Sequence, residues 1–364
     1  MKQVRKIITS ESVNIGHPDK TCDVIADAFL DAALSQDPHA QMAVECAIKD
    51  DLLMIYGEAT TSAKIDYEQI AKEVLREVGY TCEFKIIKKI SEQSPQINKA
   101  VVKKELAAND QGIVYGYACD ETPELMPLPI MLAHKLMQRY ESWRKEYNGR
   151  MESSPTSRFY SDAKSQVSVE YENDKPIGVH TVLVSVSHAE GLDNKTIVKL
   201  IRENVIDPVL TAKNYIINPS GAFSIWGSFS DSGCVGRKIV VDTYGGVGRV
   251  GGGAFSSKNA TKIDRSGAYY ARYVAKNIVA KGIAKTVEVS ASYAIGLSYP
   301  IKVNIDTFGT GDDVEVSKWV QKNFDFSPAN MIKELDLLKP IYKKTACYGH
   351  FGRECEEFAW EKIK

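Results

Sequence analysis

QVSVEYENDKPIGVHTVLVSVS, residues 166–187, sets two β-rich runs on either side of a five-residue turn. Gln166–Tyr171 and Ile177–Ser187 are joined through ENDKP. That connection fits a hairpin, whereas a parallel return needs a crossover of about a dozen residues or more. The arrangement recurs at Gln41–Ile48 with Leu52–Thr60, and at Val287–Ile295 with Ile301–Phe308 around SYP. Helical patterns lie between, at Thr21–Leu34, at Asp66–Val78 with Asp66 placed to cap it, and at Pro129–Tyr147. In the third, Ile130, Ala133, Leu136, Met137, Tyr140 and Trp143 recur at helical spacing and read as core. The class is α+β, with helices covering mainly antiparallel sheets.

The chain has 364 residues, 44% hydrophobic and 26% charged, with a net charge of −1. This is ordinary globular composition, long enough for roughly two to three domains. Interspersed charges leave no long basic face for nucleic acid and no polybasic tail for a membrane, so any anion site must be local. MKQVRKIITSESV has no signal-peptide core and no stretch approaches a transmembrane span, so the chain reads as cytoplasmic. Seven scattered cysteines without a CxxC pair fit a reduced compartment. Cys347, His350 and Cys355 offer only three ligands and carry no zinc reading. Soft boundaries fall near residue 100, where AVVKKELAAND breaks the pattern, and near 226–233, where GSFSDSG reads as a turn-rich linker.

GGVGRVGGGAFSSKNATKID, residues 245–264, holds six glycines in its first nine positions. It follows an apparent strand, Lys238–Tyr244, and precedes a helix-like run, Ser266–Lys281. Repeated glycines let the backbone approach a phosphate closely. No GK[ST] ends the loop, and the Gly246-x-Gly248-x-x-Gly251 spacing lacks the helix and downstream acid of a dinucleotide fold. Lys258, Lys262 and Asp264 follow: two cations to neutralise a polyphosphate and a carboxylate able to hold Mg²⁺. A flexible loop with solvated lysines is the alternative.

A second candidate is SVNIGHPDKTCDVIADAF, residues 12–29, with His17, Asp19 and Lys20 at the mouth of a helix whose N–H groups suit an anion. Pro18 and Asp19 are equally ordinary first-turn residues. A third is the pair of acids in apolar strands, Glu45 and Glu58, each of which needs a cation, a donor or a ligand. Lys164, Asp231, Arg237 and Lys238 complete the charged positions, and no GxSxG or HExxH accompanies them. The set suggests metal-assisted polyphosphate handling with little covalent work by protein groups.

TSESVNIGHPDK, GEATTS, EQSPQIN, NDQG, DAKSQV, GRKIVVDTYGG, GGGAFSSK, KIDRS, YVAKNIVAKG, SYAIG and PIYKKTACYGHFGRE occur in that order from residue 9 to the C-terminal region. Together they resemble the S-adenosylmethionine synthetase family. The resemblance implies three similar α+β domains about a pseudo-threefold axis, at 5–98, 106–225 and 227–361, with the chain interleaving between them. It also implies a homodimer, often paired into a tetramer, with interfacial active sites. The implied reaction is attack of the methionine sulfur on C5′ of ATP, releasing triphosphate that is cleaved to pyrophosphate and phosphate, assisted by Mg²⁺ and K⁺. A neutral thioether needs no general base, so alignment and charge stabilisation carry the chemistry.

By matching motif, His17 stabilises the leaving triphosphate, Asp19 and Asp264 bind two Mg²⁺, and Glu45 belongs to the K⁺ site. Glu58, Gln93 and Asp110 match methionine-end positions; Lys164, Arg237, Lys238 and Lys258 match phosphate contacts. Asp162, Phe223 and Ala254 match the ATP site, with Asp231 and Lys262 where ATP and methionine meet. The family's GRFVIGGP is GAFSIWGS here, putting Ala222 for arginine and Trp226 for glycine. GAGDQG becomes AANDQG, and GGGAFSGKD becomes GGGAFSSKN with Ser257 and Asn259. Residues 94–109, a gate in the family, look shorter and contain no glycine. These departures imply altered gating or substrate tolerance. A catalytically silent nucleotide-binding subunit is the alternative; missing catalytic charges would mark it, and the charges are present.

Overall fold

The computed structural model describes residues 5–92, 106–150 and 158–364. The element order repeats. The first unit is strand β1 (Arg5–Val13), helix α1 (Pro18–Leu34), hairpin β2 (Gln41–Lys49) and β3 (Leu52–Thr60), helix α2 (Tyr67–Val78) and strand β4 (Lys85–Ser91). The second is β5 (Gly112–Cys119), α3 (Leu128–Arg150), hairpin β6 (Phe159–Glu172) and β7 (Lys175–His188), α4 (Asn194–Ile201) and β8 (Ala212–Ile217). The third is β9 (Gly233–Cys234), the single turn α5 (Ile239–Asp242), α6 (Ile263–Ala280), hairpin β10 (Thr286–Tyr293) and β11 (Lys302–Asp306), and α7 (Asp313–Asn323).

Each unit gives its leading strand to the sheet of another. The sheets run β1-β6-β7-β8, β11-β10-β5 and β4-β3-β2-β9. Thus β1 joins the second unit, β5 the third and β9 the first, the cyclic exchange that a pseudo-threefold arrangement requires. The long helices α1, α3 and α6 each pack on the resulting sheet. α1 is buried almost all round, with Phe29 and Leu30 fully inside, each contributing roughly 1.5–3 kcal/mol of burial. The α3 stripe is core as its spacing requires: Ile130, Ala133, Leu136, Met137 and Tyr140 are fully buried.

Local chemistry explains the connections. Asn173 and Asp174 both take left-handed φ, 51° and 60°, between Glu172 and Lys175, the backbone of a type I′ hairpin turn. Asp66 caps α2 by accepting from the Gln69 N–H at 3.1 Å, and Gly79 ends it at φ 115°.

Sheets are mainly antiparallel, as expected, with β3–β4 and β7–β8 parallel pairs returned by α2 and α4. Two expectations are corrected. Lys238–Tyr244 is not a strand. Asp242 N–H closes on the Lys238 carbonyl at 2.9 Å, and the turn directs the Asp242 carboxylate inward to Lys20. Residues 226–233 are no free linker: Gly227 and Ser228 are buried and Gly233–Cys234 pairs with β2. The boundary near residue 100 and most of the 94–109 gate lie outside the described residues.

Candidate functional site

His17 caps α1, its Nδ1 accepting the Asp19 N–H at 3.2 Å, which leaves the ring proton on Nε2. Burial, then Lys238 and Lys164, lowers its pKa to about 3, so the imidazole is neutral at neutral pH. Asp19 has no exposed surface. One of its oxygens accepts from Cys234 N–H at 3.0 Å and lies 3.4 Å from Arg237 Nε; the other takes Lys238 Nζ at 2.6 Å. Gly233 permits this meeting, since a Cβ there would lie 2.3 Å from the Pro18 carbonyl.

Asp162 lies in the same neighbourhood, within electrostatic reach of Lys164 and Asp231. Its Oδ2 accepts from Gly227 N–H at 2.9 Å, while Oδ1 is buried without a partner. Burial raises this carboxyl to about 6. Lys164 stands exposed on β6 opposite Val13, and Asp231 is exposed with its carboxylate on Ser232 N–H.

A second cluster gathers at the start of α6. Lys258 Nζ pairs with Asp264 Oδ2 at 2.5 Å. Burial lowers the Lys262 pKa, and Glu58, Lys258, Asp110 and Asp264 are the charges it feels. The glycine loop has a packing reason: a Cβ at Gly253 would lie 2.1 Å from Asp264 Cγ, and one at Gly251 would lie 2.6 Å from the Ile113 carbonyl. The helix begins only at Ile263, so the dinucleotide spacing has no helix behind it. Ser257 stands at φ 78°, buried, its hydroxyl unpartnered and its N–H on Asp27 at 3.0 Å.

β2 spans both clusters. Ala43 bridges to Lys258 and Ala47 pairs with Cys234, with Glu45 between them accepting from Tyr56 OH at 3.4 Å. Ala254 sits at the seam against Gly236. Among the described residues no ion pair joins the two clusters. Phe223 is half-buried, its N–H donating to His188 Nε2 at 3.2 Å and its carbonyl accepting from His188 N–H at 2.9 Å. Gln93 lies outside the described residues. A cavity of about 620 Å³ lined by Leu34, Ala260 and Ile332 contains none of the predicted site residues.

Sequence reading placed Lys20 at an anion site and missed the supporting charges Asp23, Asp27, Asp242 and Arg265. Lys20 is buried between Asp23 and Asp242, and the other Asp23 oxygen holds Gly236 N–H at 2.9 Å, just before Arg237 and Lys238. Asp27 and Arg265 form a buried two-point pair at 2.8 Å that also holds the Ser257 loop. The available signal was five charged residues, Asp19, Lys20, Asp23, Asp27 and Asp31, in a helix otherwise largely apolar.

Profiles of the S-adenosylmethionine synthetase N-terminal, central and C-terminal domains match residues 5–104, 105–223 and 225–362. The chain belongs to the S-adenosylmethionine synthetase family. It is 46% identical to the S-adenosylmethionine synthase of Sorangium cellulosum (strain So ce56), over 97% of this chain and 87% of that protein. As a member of the S-adenosylmethionine synthetase family it is a methionine adenosyltransferase, with ATP and methionine as substrates. The S-adenosylmethionine synthetase family generally uses metal ions. No helix among the described residues is long and apolar enough to cross a membrane.

Proposed function

We propose that the enzyme joins the methionine sulfur to C5′ of ATP while the C5′–oxygen bond breaks and the whole triphosphate leaves. Water then cleaves the triphosphate to pyrophosphate and phosphate at the same site. The observation that carries this reading is Asp19, a fully buried carboxylate held by Lys238, Arg237 and a backbone N–H beside a neutral His17. Cations already gathered around fixed carboxylates suit a polyanionic leaving group, and a neutral thioether leaves no proton to remove. His17, with its proton on Nε2, is able to donate to a triphosphate oxygen, and Lys164, Arg237, Lys238 and Lys258 neutralise it.

Asp19 and Asp264 are the residues for Mg²⁺, and Glu45 for K⁺. Each Mg²⁺ carboxylate faces a lysine, Lys238 or Lys258, so it already stands opposite positive charge. Two hard oxygen donors without a larger protein cage suit Mg²⁺, which takes its remaining ligands from phosphates and water. Bound Mg²⁺ supplies charge neutralisation of the triphosphate.

The active sites are shared between the subunits of a homodimer, which the family pairs further into tetramers. The separation of the two clusters supports this. So does the outer face of the β4-β3-β2-β9 sheet, where the paired Met54 and Ile87 are 43% and 41% exposed beside Glu45 and Glu58.

The test is mass-spectrometric detection of S-adenosylmethionine from ATP, methionine, Mg²⁺ and K⁺, with pyrophosphate and phosphate quantified. Matched products support the reaction. ATP binding without product would favour the silent subunit. A monomeric, active species in light scattering would overturn the shared site.

A further inference from the structure

An aromatic stack includes Trp226, whose neighbour Gly227 is held by Asp162, the carboxylate with a second, buried and unpartnered oxygen. Trp226 lies between Tyr80 and Tyr160, with ring centroids 4.7 and 5.4 Å away and planes inclined by 22° and 14°. Tyr80 is itself anchored: its hydroxyl accepts from Ser228 N–H at 2.7 Å and its ring meets Phe84 edge-on. The register of β6 against β7 slips between Phe159 and Ala163, so Tyr160 and Asp162 both lie in an irregular stretch of the strand, where side chains are re-aimed. Tyr160 grips residue 226 by its ring and Asp162 grips residue 227 through its N–H, at 2.9 Å. Gly227 takes φ 59°, and a Cβ there would lie 2.2 Å from the Tyr80 hydroxyl, so the turn has one available seat.

We infer that Trp226 is a positioning residue for nucleotide binding: its stacked ring holds the Gly227 N–H on one oxygen of Asp162, keeping the other for a hydroxyl or amino donor of the nucleoside. The inference rests on the proposed ATP site and names what sets its geometry. The stack is made by Tyr80 and Tyr160, and the charge-carrying residues that act on triphosphate, His17, Arg237 and Lys238, are not members of it. Its loss therefore acts on nucleoside recognition and spares the chemical step.

The test compares the wild-type enzyme with Trp226→Ala, Trp226→Phe and Tyr160→Leu. Initial rates are measured with ATP and methionine varied separately, ATP binding by calorimetry without methionine, and folding by thermal melting. Trp226→Ala is expected to raise the KM for ATP and weaken ATP binding about tenfold, the loss of one hydrogen bond to a charged group. The methionine KM and kcat change by less than about threefold. Trp226→Phe keeps a stacked ring and restores most of the ATP affinity. Tyr160→Leu removes a half-buried partner and shifts ATP in the same direction, so the inference stays testable even where Trp226→Ala does not fold. Unchanged ATP affinity in folded Trp226→Ala or Tyr160→Leu overturns the inference, as does equal impairment of ATP and methionine. A wild type that binds ATP but makes no product sinks the proposed reaction, while the binding comparison still decides the role of Trp226.

Discussion

Replacing Gly253 with alanine tests whether the glycine loop exists to seat the Asp264 carboxylate. A Cβ at this position would stand 2.1 Å from Asp264 Cγ, and ordinary contact begins at 3.4 Å, so the carboxylate must retreat by the difference, 1.3 Å. The backbone itself tolerates alanine, because Gly253 is not in the left-handed region. The Asp264 side chain is 29% exposed and can swing toward solvent, so the cost in stability stays below about 1 kcal/mol. Its pairing with Lys258, 2.5 Å in the native loop, is lost. A misplacement of about 1 Å at a reacting site costs on the order of 10²-fold in rate, and that is the expected fall in S-adenosylmethionine formation. Weaker apparent Mg²⁺ affinity accompanies it. Gly252→Ala is the internal control, since a Cβ there meets nothing within 4 Å. Initial rates by mass spectrometry across a Mg²⁺ titration, with melting temperatures, decide the matter. A Gly253→Ala rate within about threefold of wild type, or equal damage from Gly252→Ala, would refute the reasoning.

Asp19→Asn keeps the shape that accepts Cys234 N–H but removes the charge opposite Lys238 and Arg237; metal-dependent turnover should be lost in a folded protein, and near-normal rates would exclude the assigned role. Ser257→Gly should stabilise the protein by about 1–3 kcal/mol. Relief of a left-handed φ is worth roughly 1–2 kcal/mol and removal of a buried unpaired hydroxyl about as much, against roughly 0.5–1 for glycine's entropy; a lowered melting temperature would contradict this. His17 has a folded pKa near 3 against 6.5 when unfolded, so the unfolded chain binds the extra proton in that window. Its contribution to stability is present above 6.5 and lost as pH falls toward 3. His17→Gln should therefore flatten stability against pH between 4 and 6 relative to wild type. An unchanged slope would mean that His17 titrates normally.

The hairpins were legible because their determinants are adjacent. ENDKP supplies Asn173 and Asp174, which tolerate the left-handed backbone of a tight turn, and the flanking runs alternate in burial. Asp66 marked the start of α2 for the same reason, and Gly79 at φ 115° ends it. Two strands were less visible: KIIKKIS is charged enough to hide the parallel β4, and the antiparallel β9 is two residues whose partner lies nearly two hundred positions earlier. Lys238–Tyr244 carries a β-like sequence, yet a buried Lys20 draws Asp242 inward and winds it into a turn. Long-range electrostatics overrode local preference there.

The sequence by itself determined the α+β class, the helical stripes, the hairpins and, through its ordered motifs, the family and the identity of the charged residues. All of these depend on neighbours in the chain or on residue type. Only the tertiary structure decided that Asp19 meets Cys234, Arg237 and Lys238, that Lys258 meets Asp264 across a cradle of glycine, and that the leading strands exchange cyclically among the three sheets. It also decided that Trp226 is held between two tyrosines instead of standing free. Such meetings join residues far apart in the chain, and they arise where packing buries a charge or a polar edge and leaves it one partner within reach.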